Sequence, residues 1–189
     1  MAFDLIIIGA GFAGLTAANR AAESGLKPLV LEASSEELYR CNSRFSTGSL
    51  HVAFQPPSTE PATLAKAIID NTDGAARKDL AEAIGANAAR TIDWLKEQGA
   101  AFEDHPRRTD HMPMLSPLRE MRAGLDWKGG GANALLQKLG QQLIKCGGEL
   151  RRGTRAQKLL YHDGKITGVE VITDQGAQAL STSAVVIAD

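Results

Sequence analysis

The chain has 189 residues, of which 43% are hydrophobic, 23% charged and 5% aromatic, with 19 glycines and a formal net charge of -1. That length suits one domain with a sizeable core, and the near-neutral charge excludes nucleic-acid binding driven by bulk electrostatics. No apolar run approaches the roughly 18 residues of a membrane span, the first residues lack a basic n-region, and Cys41 and Cys146 alone imply no disulfide framework, so a reduced, cytoplasmic protein is expected.

Residues 3–8, rich in Ile and Leu and broken by Gly9, predict a central parallel strand covered on both faces. A helix is expected over 12–23, where Ala13, Gly14, Ala17, Ala18 and Ala21 form a small-residue stripe that lies close to a sheet, and Gly25 ends it. Residues 28–32 predict a second strand closed by Glu32. The stretch 33–57 has no clean period and reads as a long functional loop with a short strand near 50–54. Helices follow over 61–71 and 75–98; in the second, Leu80, Ile84, Ala88, Ile92 and Leu95 keep core spacing, and Trp94 joins them.

Residues 102–128 are irregular, broken by Pro106, Pro113 and Pro117. A third helix is expected over 132–146, entered through Gly129, Gly130 and Gly131. Residues 149–152 predict a strand, and 157–162 with 165–173 flank Asp163-Gly164, a two-residue hairpin signal. A third meander strand over 177–181 and a buried apolar strand over 184–188 complete the chain. The fold class is therefore α/β: a Rossmann-like domain with a parallel sheet, a mainly helical insertion over 51–148 and a small β-meander within 149–189. The chain stops at the carboxyl end of a strand, where ligands sit in such sheets, so this single domain, 1–189, is expected to be incomplete.

Gly9-Ala10-Gly11-Phe12-Ala13-Gly14 follows a predicted strand and opens a helix. Gly9 permits the tight turn, Gly11 lets a pyrophosphate approach the backbone, Gly14 lets helix and strand pack closely, and the helix N-terminus offers amides to phosphate. Glu32 stands where a carboxylate accepts both ribose hydroxyls, and its charge disfavours a 2′-phosphorylated cofactor. The motif alone leaves the dinucleotide open. A nicotinamide-binding unit would continue with another crossover soon after Glu32, whereas this chain inserts loop and helix first.

Four segments carry a resemblance: residues 4–11 with 30–32; Cys41-Asn42-Ser43-Arg44-Phe45-Ser46-Thr47-Gly48; Gly129-Gly130-Gly131-Ala132; and 164–169 with 184–188. Over them the chain resembles the fumarate reductase, succinate dehydrogenase and tricarballylate dehydrogenase flavoprotein family. The resemblance implies FAD, held with Gly9, Gly11, Ala13 and Gly14 at the pyrophosphate, Glu32 and Ala33 at the adenosine ribose, and the Ala156 backbone at the adenine. It implies Asn42 and Ser43 on the flavin side, with Gly48 and Ser49 close to the ring. Covalently flavinylated members carry His where Asn42 stands, so the attachment is expected to be non-covalent.

The family's proteins are longer, with a capping domain, so this sequence resembles their amino-terminal part. The implied parent is an oxidoreductase acting on a carbon–carbon bond of a small-molecule carboxylate, with its catalytic residues outside this sequence and its electron partner open. Two departures, Cys41 and Ser49 where the family has glycine, would crowd the ring modestly. Two alternatives stay open: an FAD oxidoreductase of another branch, such as a ketosteroid dehydrogenase or amino-acid oxidase, or a stand-alone or truncated adenine-dinucleotide module without turnover.

The remaining chemistry-bearing residues read blandly. Cys41 and Cys146 are expected to pack rather than to form a redox pair. His51, His105, His111 and His162 lack metal-ligand spacing, although His105 and His111 could border a substrate. Arg107, Arg108, Arg119 and Arg122 read as a solvated loop more than as a carboxylate-greeting patch. The triple glycine at 129–131 reads as a close-packed helix entry more than as an anion site.

Overall fold

Runs of Ile, Leu and Val become a parallel sheet because each strand is covered on both faces. A computed structural model describes residues 3–104, 112–119 and 127–189. In chain order the elements are β1 (Leu5–Ile8), α1 (Phe12–Glu23), β2 (Pro28–Leu31), α2 (Asn42–Phe45), α3 (Pro61–Asn71), α4 (Lys78–Glu97), β3 (Phe102–Glu103), β4 (Met114–Leu115), α5 (Gly131–Lys145), β5 (Glu149–Arg151), β6 (Arg155–His162), β7 (Lys165–Thr173), β8 (Gly176–Ser181) and β9 (Val185–Ile187). They form two compact units, Met1–Phe45 with Leu136–Asp189, and Ser46–Leu135.

In the first unit the sheet order is β5-β2-β1-β9, with every neighbouring pair parallel. Counted along the chain that order is 3-2-1-4, half of a doubly wound sheet, with its switch point beside β1. Successive side chains of β1 face opposite ways. Ile7 meets α1 at Gly14, whereas Ile6 joins Leu29, Leu31, Val169 and Val171 in one buried cluster. The antiparallel meander β6-β7-β8 thus covers one face and α1 the other.

The last strand corrects an expectation. Among the described residues β9 pairs with β1 alone and stands at the edge of their sheet, and Ile187 is 64% exposed rather than buried.

Helix α1 starts and ends where the glycines predict. Gly25, at φ +81°, closes it in a Schellman motif, with Gly25 N–H donating to Ala22 O and Leu26 N–H to Ala21 O. Its buried face is Gly14, Leu15, Ala18, Asn19, Ala21 and Ala22, so the small-residue stripe is shifted and Ala13 is exposed. Asn19 belongs to that face because its Nδ2 donates to Leu15 O at 2.8 Å and to Leu139 O at 3.0 Å, tying α1 to α5.

Asp163 and Gly164 turn the β6-β7 hairpin with φ of 49° and 72°, a type I′ turn. Gly164→Ala is expected to cost about 1 kcal/mol through left-handed strain, measured as a lower denaturation midpoint. An unchanged midpoint would contradict the turn assignment.

In the second unit α3 packs on α4 at backbone distance. A Cβ on Gly85 would lie 2.4 Å from Pro61 O, so the inner face of α4 is Ala81, Gly85 and Ala88, with Leu95 beyond. That close approach overrides the larger stripe. Leu80 and Ile84, expected in the core, are 53% and 49% exposed and line an apolar groove of about 540 Å³ with Leu50, Val52 and Pro57. Trp94 is half-buried.

Among the described residues the expected strand near 50–54 reduces to isolated bridges, Ser49 to Met114 and Val52 to Gln55. The irregular stretch supplies the short pair β3-β4. At the entry to α5, Gly131 N–H donates to Pro117 O at 2.7 Å, and a Cβ there would lie 2.3 Å from the Leu115 carbonyl. This is a close-packed entry, and that amide is taken. The readings of His105, His111, Arg107, Arg108 and Arg122 fall outside the described residues.

Candidate cofactor site

The site lies wholly within the first unit, at the carboxyl ends of β1, β2 and β9. A cleft of about 400 Å³ is lined there by Ile8 to Gly11, Leu31 to Ala33, Arg40 to Ser43, Thr154 to Ala156, and Ala188 with Asp189. It lies beside β1, at the switch point where α/β sheets bind ligands.

The turn after β1 is fixed from both sides. Gly9 has φ +96°, and a Cβ on it would lie 2.6 Å from Ala188 O, so only glycine lets β9 end there. Gly9 N–H donates to Leu31 O at 2.9 Å and Ala188 N–H to Ile8 O at 2.8 Å, which joins the three strand ends in one floor. Gly14 is buried, and its Cβ would lie 1.9 Å from Gly9 O, so helix and turn touch backbone to backbone. Ala13 stands exposed in the first turn of α1 and, like Gly14, is not a cleft-lining residue.

Glu32 sits half-buried on the cleft. Its N–H donates to Arg151 O and its carbonyl accepts from Thr154 N–H, both at 2.9 Å, so the end of β5 and the turn after it hold its backbone. One carboxylate oxygen accepts the Ser34 N–H at 2.9 Å, which aims the group. Ionised carboxylate oxygens keep further lone pairs for hydroxyl donors. Ala33 is exposed and Ala156 half-buried, and both line the cleft.

The predicted loop hides the short helix α2. Asn42, its first residue, is exposed on the cleft. Ser43 is half-buried, and its Oγ accepts the Phe12 N–H at 3.0 Å, capping α1 from a distant part of the chain. Cys41 is half-buried and lines the cleft, whereas Cys146 is exposed at the end of α5 and is not the packed residue expected. Gly48 and Ser49 belong to the second unit. There Gly48, at φ +83°, accepts the Leu115 N–H at 2.9 Å, and Ser49 Oγ is buried without a hydrogen-bond partner among the described residues.

Sequence reasoning missed Tyr39 and the role of Arg44. Tyr39 is 3% exposed and its hydroxyl donates to Ala10 O at 2.7 Å, inside the glycine turn. The buried Arg44 guanidinium lies 4.6 Å from the Tyr39 ring centre. Burial pushes the phenol up from 10.0 to about 12, with Arg44 pulling against it. Unfolded, the phenol ionises near its ordinary value, so the raised folded value adds stability that is full below pH 10 and lost as pH rises through 12. Tyr39→Phe is expected to flatten that alkaline loss in denaturation midpoints, and an unchanged slope would contradict it. The only sequence signal was an aromatic inside a polar loop.

Among the described residues no group of three or more His, Cys, Asp or Glu could hold a metal ion. Among the described residues no helix is long and apolar enough to cross a membrane.

A 3-2-1-4 sheet, a glycine turn closed backbone to backbone and a carboxylate on the neighbouring strand end define a dinucleotide-binding domain. The FAD binding domain family matches residues 4–189, and the chain belongs to that family, with FAD as its cofactor. The cleft fits that group: glycines leave backbone open to phosphate, and Glu32 offers acceptors to a ribose.

Among curated proteins the chain is 29% identical to vinyl phenol reductase of Lactiplantibacillus plantarum, over 98% of this chain and 37% of that one. It is 23% identical to fumarate reductase (cytochrome) of Shewanella frigidimarina, over 89% of this chain and 29% of that one. Among solved structures, 3-ketosteroid-delta4-(5alpha)-dehydrogenase of Rhodococcus jostii matches with a TM-score of 0.77 at 18% identity, covering 98% of this chain and 45% of that one, which shows the fold. The chain spans between 12% and 37% of the lengths of these curated relatives.

Proposed function

We propose that the chain is the FAD-binding part of an oxidoreductase that acts on a carbon–carbon single or double bond of a small carboxylate. The observation that carries the reading is the cleft itself, with the glycine turn and Glu32 at the ends of adjacent strands. Similarity to a fumarate reductase supports the carboxylate, and similarity to a vinyl phenol reductase supports the class of bond. When bound, FAD supplies two-electron redox chemistry beside the substrate.

The chain's own residues bind and orient. Apart from Phe12, whose N–H is taken by Ser43 Oγ, the first-turn amides of α1 offer the pyrophosphate the positive end of the helix dipole. Glu32 accepts the ribose hydroxyls, and the Ala156 backbone meets the adenine. Asn42 and Ser43 lie toward the flavin. Attachment is non-covalent, since the Asn42 amide nitrogen is not a nucleophile. Residues 51–148 hold the mainly helical insertion of one FAD-binding domain. Free Cys41 and Cys146 suit a cytoplasmic setting.

The test uses the full-length protein with its flavin reduced anaerobically, then mixed with fumarate or with 4-vinylphenol. Reoxidation by fumarate is the expected result. Reoxidation by 4-vinylphenol alone would overturn the carboxylate, and reoxidation by neither, nor by other activated alkenes, would overturn the bond class.

A further inference from the structure

The turn after Leu50 holds an aromatic side chain out in water by straining its own backbone. Val52 N–H donates to Gln55 O at 2.9 Å and Gln55 N–H to Val52 O at 2.8 Å, which closes a two-residue turn. Its central residues, Ala53 at φ +46° and Phe54 at φ +62°, are both left-handed without being glycine. His51 locks the arrangement: its Nδ1 accepts the Phe54 N–H at 3.2 Å, and the two rings stack with centroids 5.2 Å apart. Phe54 is nonetheless 69% exposed. Backbone strain persists only where other contacts compensate it, and a large ring left in water does not.

Beside this knob lies a hole. His51 and Val52 before Phe54, and Pro57 after it, line the apolar groove of about 540 Å³ that α4 lines with the exposed Leu80 and Ile84. Phe54 itself is not a lining residue, and its stacking on His51 keeps it out of its own groove. Among the described residues no acid, Lys or Arg lines the groove, and the α4 ion pairs Lys78–Glu82 and Asp93–Lys96 stand outside it. Two such surfaces meet without like-charge repulsion. An apolar, charge-poor patch with an aromatic anchor has the composition of an interface core. A knob and a hole on one patch suit a two-fold contact, in which the same two features meet twice.

We propose that this face is a homodimer interface, in which Phe54 of one copy enters the groove at Leu80 and Ile84 of a second copy, and reciprocally. The proposal stands wholly within the second unit and does not rest on the FAD reading.

Sedimentation velocity of the full-length protein over a range of concentrations tests it. A reversible dimer is expected; a monomer at every concentration would overturn the proposal and leave the groove to another partner. Phe54→Gly is expected to weaken the dimer about tenfold or more. It should not lower the denaturation midpoint of the diluted monomer, because glycine suits the left-handed turn. Ile84→Asp, at an exposed helix position, should weaken the dimer as much by placing a charge in the groove. A dimer of unchanged strength in either variant would overturn the insertion.

Mixing the two variants separates reciprocal insertion from a general apolar patch. The Phe54→Gly copy keeps its groove and the Ile84→Asp copy keeps its ring, so one of the two contacts survives in the mixed pair and none in either homodimer. The mixture is expected to associate more strongly than either variant alone. Association no stronger than that of the separate variants would overturn the knob-and-groove geometry.

Discussion

Gly14→Ala is expected to give the largest loss of stability of any alanine placed at the described glycines. The new Cβ would lie 1.9 Å from Gly9 O and 3.3 Å from Ile7 Cγ2. The first of these is backbone and cannot rotate away. Helix α1 must therefore lift off β1, or the turn must deform. Overpacking a core typically costs about 1–3 kcal/mol, and a clash with backbone belongs at the upper end. At roughly 2–4 °C per kcal/mol for a chain of this size, the melting midpoint should fall by about 6 °C or more. FAD affinity should fall with it, because in the proposed function the same turn faces the pyrophosphate. A melting midpoint and affinity both matching the unmodified chain would mean that helix and strand are not in contact there.

Glu32→Ala is expected to give the largest loss of FAD affinity. The carboxylate lies on the cleft, on a residue held by two backbone bonds, and is aimed by the Ser34 N–H. Charge-assisted hydrogen bonds to the ribose are worth about 1.5–3 kcal/mol each, so affinity should drop by roughly tenfold to a hundredfold. Glu32→Gln separates that loss from a collapsed turn. Its amide oxygen can still accept from Ser34, while the charge is gone. Both variants should bind FAD weakly. If Glu32→Gln binds normally and Glu32→Ala does not, the carboxylate shapes the turn and does not read the ribose.

The strand–turn–helix unit was legible because its signals agree. Glycine at 9, 11 and 14, the helix-ending Gly25 and the strand-ending Glu32 all act locally, and α1 has the expected ends. The Asp163-Gly164 hairpin was legible for the same reason, since two residues set its turn. What depended on distant partners was not. The α4 stripe was misread because the close approach of Pro61 to Gly85 favours small residues on the inner face over Leu80 and Ile84.

The edge position of β9 follows from sheet order, which a single strand's composition does not reveal. At the site, the backbone contacts were foreseeable from glycine. The two bonds from the later loop were not: the Tyr39 hydroxyl donates to Ala10 O and Ser43 Oγ accepts the Phe12 N–H about thirty residues earlier, and loops carry no period from which such pairing can be read.

The measurement that bears most directly on the account is the absorbance spectrum of the purified full-length protein, followed by acid precipitation and analysis of the supernatant. The account predicts a flavin spectrum with intact FAD released into the supernatant. Yellow colour retained in the pellet would contradict non-covalent attachment. A colourless protein that binds NAD and not added FAD would contradict the assignment of this cleft to a flavin.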